Sequence, residues 1–308
     1  MSRCPAPSGK QFILHLGDQT ATVTEVGATL RSCTAADTEL LDGFGPDAMC
    51  RDARGNTFIP WPSRIEDGRY VSDGQEQQLP LTEPAAGNAV HGLTRWAEWR
   101  LIDHTPQRMR LQHVLRLQPG YPHQLRCELT CALRGSGLRV ETTVTNLGST
   151  PCPYGTGAQP YLALGTELVD DLSVCVPAGT WLLTDDRGIP TGRRTVDGTD
   201  RDLRRPGRLG DRVLDTAFTD LSRDADGGAT IVVRAPTRRE VELWMDASYG
   251  FVALSTGDSL PEPDRRRHGL GVEPMTAAPN AFRTGDGLAT VAPGGSHSAV
   301  WELRPRWL

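Results

Sequence analysis

Lysine is almost missing from this chain: Lys10 is the only one, and arginine carries the remaining positive charge. We read that bias as genomic base composition rather than chemistry. With a net charge of −5 there is no basic excess of the kind a nucleic-acid partner requires, so none is expected. Long apolar runs are missing too. The opening MSRCPAPSGKQFILHLGD has no apolar leader core, and no stretch is long enough to span a membrane. No C-x-x-C pair occurs, and no Cys/His set has zinc spacing, so no zinc site of that kind is expected. The cysteines (Cys4, Cys33, Cys50, Cys127, Cys131, Cys152 and Cys175) are scattered and odd in number. Free thiols without a leader imply the cytoplasm. Amphipathic helical stretches are also hard to find, with one short turn near Pro46–Arg51 as the candidate.

What the chain has instead is period-two alternation. In Leu125–Arg134 apolar residues alternate with Arg126, Glu128 and Thr130, which puts Cys127 and Cys131 on the apolar face. LRVETTVTN places Leu138, Val140, Thr142 and Val144 on one face, and Met109–Leu117 and Thr230–Ala235 behave alike. Short strands divided by Gly, Pro, Asp and Asn clusters indicate an all-β sandwich. Thr184–Arg212, charged and rich in Gly and Pro, reads as a long surface loop rather than a linker, which leaves a single domain over residues 1–308.

One carboxylate stands out. Glu273 lies in the apolar run GLGVEPMTAAPNAF (Gly269–Phe282), between Val272 and Pro274. A carboxylate there is either a satisfied structural residue or one raised in pKa, as general bases often are. EVELWMD (Glu240–Asp246) puts Glu242, Trp244 and Asp246 on one strand face. An aromatic plane beside carboxylates is either a solvated strand face or a sugar platform.

Three further segments accompany GVEPMT: GNTFIPWPSRIEDGRY (Gly55–Tyr70), GNAVHGLTRWAEW (Gly87–Trp99) and PYGTGAQPYLALG (Pro153–Gly165). In this order, from about Thr20 to the end, the chain resembles the aldose 1-epimerase (galactose mutarotase) family. The resemblance implies an antiparallel β-supersandwich and a cofactor-free isomerase acting on a small molecule, a sugar or a polar sugar-like metabolite. It implies Glu273 as the base, Arg64, Asn88 and Asp246 as substrate-binding residues, and His91 near the sugar ring oxygen, with Asn88 also orienting it. Gln159 and Tyr161 share a strand face and would contact substrate. One position departs from the pattern: the family's acid histidine is here Gln159. An amide donates a hydrogen bond but delivers no proton near neutral pH. Three functions follow: a mutarotase with His91 as acid, a fold repurposed for proton abstraction with dehydration, isomerisation or cyclisation of a specialised metabolite, or a non-catalytic carbohydrate-binding protein.

Overall fold

The computed structural model describes residues 6–307, so Cys4 lies outside the described residues. Alternation becomes strand where the pattern is strict. Leu125–Arg134 forms as expected, with Leu125, Cys127, Leu129, Cys131 and Leu133 buried and the residues between them turned outward. Met109–Leu117 is realised as Arg108–Leu115, Thr230–Ala235 as Ala229–Arg234, and the Trp244 strand as Arg239–Met245. Burial pushes the Cys127 and Cys131 thiols up to about 12, so both behave as small apolar residues.

Two large antiparallel sheets dominate. The nine-stranded sheet runs Arg100–His104, Arg108–Leu115, Leu125–Arg134, Gly137–Asn146, Ser296–Trp307, Arg239–Met245, Ala229–Arg234, Ser173–Cys175 and Gly207–Arg208. The eight-stranded sheet runs Pro190–Thr195, Ala178–Thr184, Asp215–Leu221, Phe251–Ser255, Leu270–Met275, Gly157–Ala158 and Thr57–Phe58, with Tyr161–Leu162 also paired to Leu270–Met275. Leu129, Val140, Ile231 and Leu243 of the first sheet belong to the same buried cluster as Phe218, Val252, Leu254 and Val272 of the second. This is the expected β-supersandwich. The only α-helix among the described residues is the single turn Ala281–Thr284. No helix among them is long and apolar enough to cross a membrane.

The packing order decides where a site can form. Phe218, Val252, Leu254 and Val272 face the core. The next residues along the same strands must therefore face away from it. Glu273 pairs with Ala253, and Ala253 with Ala217. Ser255 pairs with both Asp215 and Gly271. Asp215, Ala217, Ala253, Ser255 and Glu273 thus share the outer face of the eight-stranded sheet.

One expectation is corrected. Thr184–Arg212 is not all loop: Pro190–Thr195 forms a strand paired with Ala178–Thr184. It is an edge strand with mostly exposed residues, so no apolar alternation marks it.

The alternation makes a stability prediction. Leu129→Ala removes a side chain from the core shared by both sheets and should cost about 2–5 kcal/mol in urea unfolding. Thr130→Ala, on the outer side of the same strand, should cost less than about 1 kcal/mol.

Candidate active site

A cleft of about 730 Å³ opens on the outer face of the eight-stranded sheet, with Asp215, Ala217, Ala253, Ser255 and Glu273 in its lining. Of the residues expected from sequence, Arg64, His91, Gln159, Tyr161 and Glu273 all line it.

Glu273 is 6% exposed. Gln159 Nε2 donates to Glu273 Oε1 at 2.6 Å and to the Tyr161 hydroxyl at 3.3 Å. Register produces this contact. Gly157 pairs with Met275 and Tyr161 with Gly271, which sets residue 159 opposite residue 273. The ladder is interrupted there, and the Gln159 backbone bonds instead to Gly55 and Asn56. Burial raises the Glu273 carboxyl to about 8; the Asp215 charge adds to the rise and Arg64 opposes it. Gln159 Oε1 is buried without a hydrogen-bond partner.

His91 is held by a reciprocal pair. Its backbone N–H donates to Ser63 O at 2.9 Å, and the Ser63 backbone N–H donates to His91 Nδ1 at 3.0 Å. Both residues sit in the left-handed region, at φ 59° and 55°. Gly92 is obligatory beside them, because a Cβ there would meet Ile59 O at 2.1 Å. The imidazole stacks on Phe58 at 3.8 Å. Since Nδ1 accepts a hydrogen bond, Nε2 carries the hydrogen of the neutral ring. Burial, with Arg95 and Arg64 nearby, holds His91 well below its ordinary pKa. It is therefore a neutral Nε2–H donor, and the expected role of protonated acid does not fit its surroundings.

Arg64 is braced from behind. Its Nε and Nη2 bond Glu83 at 2.9 and 3.1 Å. Its Nη1 passes over Gly188, where a Cβ would approach to 2.8 Å. Burial pushes the Glu83 carboxyl up, but hydrogen bonds from Arg64 and Asn88 win and hold it below its ordinary value. Asn88 differs from expectation. It is fully buried and does not line the cleft. Its Nδ2 donates to Glu83 Oε2 and to Arg187 O, both at 2.9 Å. Those bonds consume its donors, so Asn88 positions the wall rather than touching a substrate.

Trp244 and Asp246 are also placed elsewhere. Their strand belongs to the nine-stranded sheet, where Val241, Leu243 and Met245 fill the core. The opposite face, carrying Glu242 and Trp244, lies across both sheets from the cleft. Trp244 donates to Asp224 at 3.3 Å and lies under the Arg304 guanidinium at 4.7 Å. Asp246 accepts the N–H groups of Ser248 and Val300, each at 2.9 Å. It is a turn-forming residue. Asp215, which the sequence reading missed, is a carboxylate that lines the cleft on the same sheet face as Glu273. Its weak signal was VLDTAF, an acid opening a strand just beyond the charged stretch. Among the described residues no group of three or more His, Cys, Asp or Glu could hold a metal.

Comparison with known proteins identifies the family to which this fold and these motifs belong. The aldose 1-epimerase family model matches residues 12–304, so the chain belongs to the aldose 1-epimerase family. Escherichia coli (strain K12) YihR is 32% identical over 297 residues, 96% of this chain and 93% of that protein. Rattus norvegicus galactose mutarotase is 34% identical over 156 residues, 48% of this chain and 44% of its own. The crystal structure of the GalM/aldose epimerase homologue from C. elegans superposes with a TM-score of 0.87 at 18% identity, over 97% of this chain and 99% of that one. That likeness is one of fold.

The geometry separates Asp246 from Asp215. Asp246→Ala should lower unfolding stability by about 1–3 kcal/mol, because two backbone donors lose their acceptor, and should leave sugar binding unchanged. Asp215→Asn removes the like charge facing Glu273, and its carboxyl should titrate at lower pH in a carbon-13 NMR titration.

Proposed function

We propose that this chain interconverts the anomers of an aldose, with Glu273 as the base. The observation that carries this reading is a nearly buried carboxyl, raised to about 8, on the floor of an open cleft. In its ionised form Glu273 takes the proton of the anomeric hydroxyl. The ring opens, the C1–C2 bond turns, and closure returns either anomer. No residue of the chain need change oxidation state.

The supporting groups have separable roles. The Arg64 Nη1 donors, fixed by Glu83 and the Gly188 turn, bind hydroxyls of the sugar. Asp215 accepts from others. The neutral His91 Nε2–H donates a hydrogen bond to the ring oxygen, where charge develops on opening. Gln159 holds Glu273 in place but brings no proton. No cationic acid stands at residue 159, so solvent in the open cleft supplies the proton to the ring oxygen. Turnover is correspondingly slow.

Polarimetry on glucose and galactose tests the reading. Glu273→Gln should abolish turnover while the protein stays folded; turnover like wild type would remove Glu273 from the mechanism. Gln159→His should raise kcat, by up to roughly 10²–10⁴, the contribution of a placed general acid. No gain, with native turnover of some non-sugar substrate, would favour the repurposed reading.

The pH dependence has a definite sign. A base with a folded pKa about 8 is ionised only above that value, so kcat/KM should rise with pH and level off there. A falling profile would mean that Glu273 acts as an acid. Stability moves the other way. Between the unfolded value of about 4.5 and about 8 the folded state holds a proton that the unfolded state has lost. Stability from this group is therefore full below about 4.5 and is lost as pH rises through about 8. Glu273→Gln should remove that slope in denaturant midpoints measured from pH 4 to pH 9.

A further inference from the structure

Anomer exchange needs two proton movements, one off the anomeric hydroxyl and one onto the ring oxygen. Glu273 answers for the first. For the second the groups already described do not serve. The arginines keep their protons at any working pH, and the Gln159 amide delivers none. Burial, with Arg95 and Arg64 nearby, keeps His91 neutral. Among the described residues, however, one phenol lines the cleft, that of Tyr161.

Tyr161 is built into the same contact as the base. It pairs with Gly271 in the ladder, on the strand that carries Glu273, and it is buried. Gln159 Nε2 has two hydrogens. One goes to Glu273 Oε1 at 2.6 Å and the other to the Tyr161 hydroxyl at 3.3 Å. The carboxylate and the phenol are therefore each one hydrogen bond from the same nitrogen. The hydroxyl is occupied as an acceptor, while its own hydrogen has no acceptor among the described residues. The two oxygens that a base and an acid must serve, the anomeric hydroxyl and the ring oxygen, are likewise attached to a single carbon. The spacing of the pair suits that of its targets.

A cation stands against the phenol ring. The Arg54 guanidinium lies 5.1 Å from the ring centroid, and Arg54 is 7% exposed. It is carried there by a turn in which Asp52 and Ala53 both take the left-handed region, at φ 53° and 55°. The same turn holds the Gln159 backbone, because Gly55 N–H donates to Gln159 O at 2.7 Å. Arg54 Nε is 3.6 Å from Asp42, but Asp42 also pairs with Arg265. Two guanidiniums thus share one carboxylate, and Arg54 Nε and Nη2 are buried without a hydrogen-bond partner. Positive charge is left over beside the ring. Burial raises the Tyr161 phenol above its ordinary value; the Glu273 charge adds to the rise, Arg54 opposes it, and Asp52 and Asp215 add to it. The phenol therefore keeps its proton at working pH, as a donor must. The Glu273 contribution vanishes once Glu273 has itself taken a proton. Uptake at one oxygen thus eases release at the other.

We propose that Tyr161 is the catalytic residue that hands the proton to the ring oxygen, coupled to Glu273 across the Gln159 amide. The proposal rests on the mutarotase reading. Glu273 takes the hydrogen of the anomeric hydroxyl, and the O–H electron pair becomes the second bond between C1 and its oxygen. The bond from C1 to the ring oxygen breaks, its pair stays on that oxygen, and the oxygen takes the phenolic hydrogen. Glu273 is then neutral and Tyr161 anionic. The negative charge has passed from one partner of the amide to the other, and each already has an N–H in place. After the C1–C2 bond turns, the same transfers run backwards and restore both groups. The phenol exchanges its hydrogen with solvent between turnovers, so solvent stays the proton's source. A ring oxygen has two lone pairs, so the His91 hydrogen bond and the phenol do not compete.

Polarimetry on glucose and galactose, corrected for the uncatalysed exchange, tests this. Tyr161→Phe keeps the ring and removes the hydroxyl. Its kcat should fall by roughly 10²-fold or more, with KM nearly unchanged. A second series keeps the hydroxyl and the fold. Replacing Tyr161 with mono-, di- and trifluorotyrosine lowers the phenol's pKa in steps. An ionised phenol has no proton to give, so a falling alkaline limb should enter the kcat/KM profile above the Glu273 rise at about 8. That limb should move to lower pH with each added fluorine. Unchanged kcat in Tyr161→Phe, a rise in KM alone, or a pH profile indifferent to fluorination would overturn the acid and leave the mutarotase reading standing. No exchange of either sugar by the wild-type protein would overturn that reading and the acid with it.

Discussion

The short hydrogen bond from the Gln159 amide to the Glu273 carboxyl, 2.6 Å long, is the contact around which the site is arranged. Glu273 occupies a sheet position that would ordinarily be apolar. Its neighbours on the core-facing side, Val272 and Leu254, are fully buried. A carboxyl there needs a polar partner or a proton. Gln159 is the partner, and the raised pKa shows that the proton is also favoured below about 8. A cationic partner at the same place would pull the carboxyl lower. The amide, which carries no charge, leaves it high.

The walls follow a different logic. Arg64 must point into the cleft against its own flexibility. Glu83 grips two of its nitrogens, Asn88 grips Glu83, and Arg187 bonds Ala86 O, Asp67 and Asn88 in turn. The chain of bonds ties the turn before Pro190–Thr195 to the loop around Asn88. Few of these bonds touch the cleft directly. Their joint effect is to spend rotamer entropy on folding rather than on binding. His91 is fixed by the same principle, with backbone in place of side chains.

Much of the architecture was legible. Strict alternation placed the strands around Leu129, Val140, Leu243 and Ile231, because a half-buried strand writes its orientation at every second residue. Pro190–Thr195 was not legible, since an edge strand exposed on both faces writes nothing. Five cleft residues, Arg64, His91, Gln159, Tyr161 and Glu273, were marked by their motifs. Trp244 and Asp246 were misassigned for a clear reason. Alternation says that a residue faces out of its own sheet; it does not say whether that outward face meets a cleft or open solvent. Asn88 was misread because motif membership does not distinguish a residue touching the ligand from one holding the residue that does.

By itself the sequence determined the strand pattern of an all-β protein, an isolated carboxylate at Glu273 in an apolar run, and an amide at Gln159 that delivers no proton near neutral pH. These follow from side-chain chemistry and strand period, which are local. Only the tertiary structure decided that Asp215 faces Glu273 while Asp246 lies across both sheets, and that His91 is neutral. Each of these depends on which strands lie side by side and which face covers the core. That is settled by packing between segments far apart in the chain, where no local pattern records it.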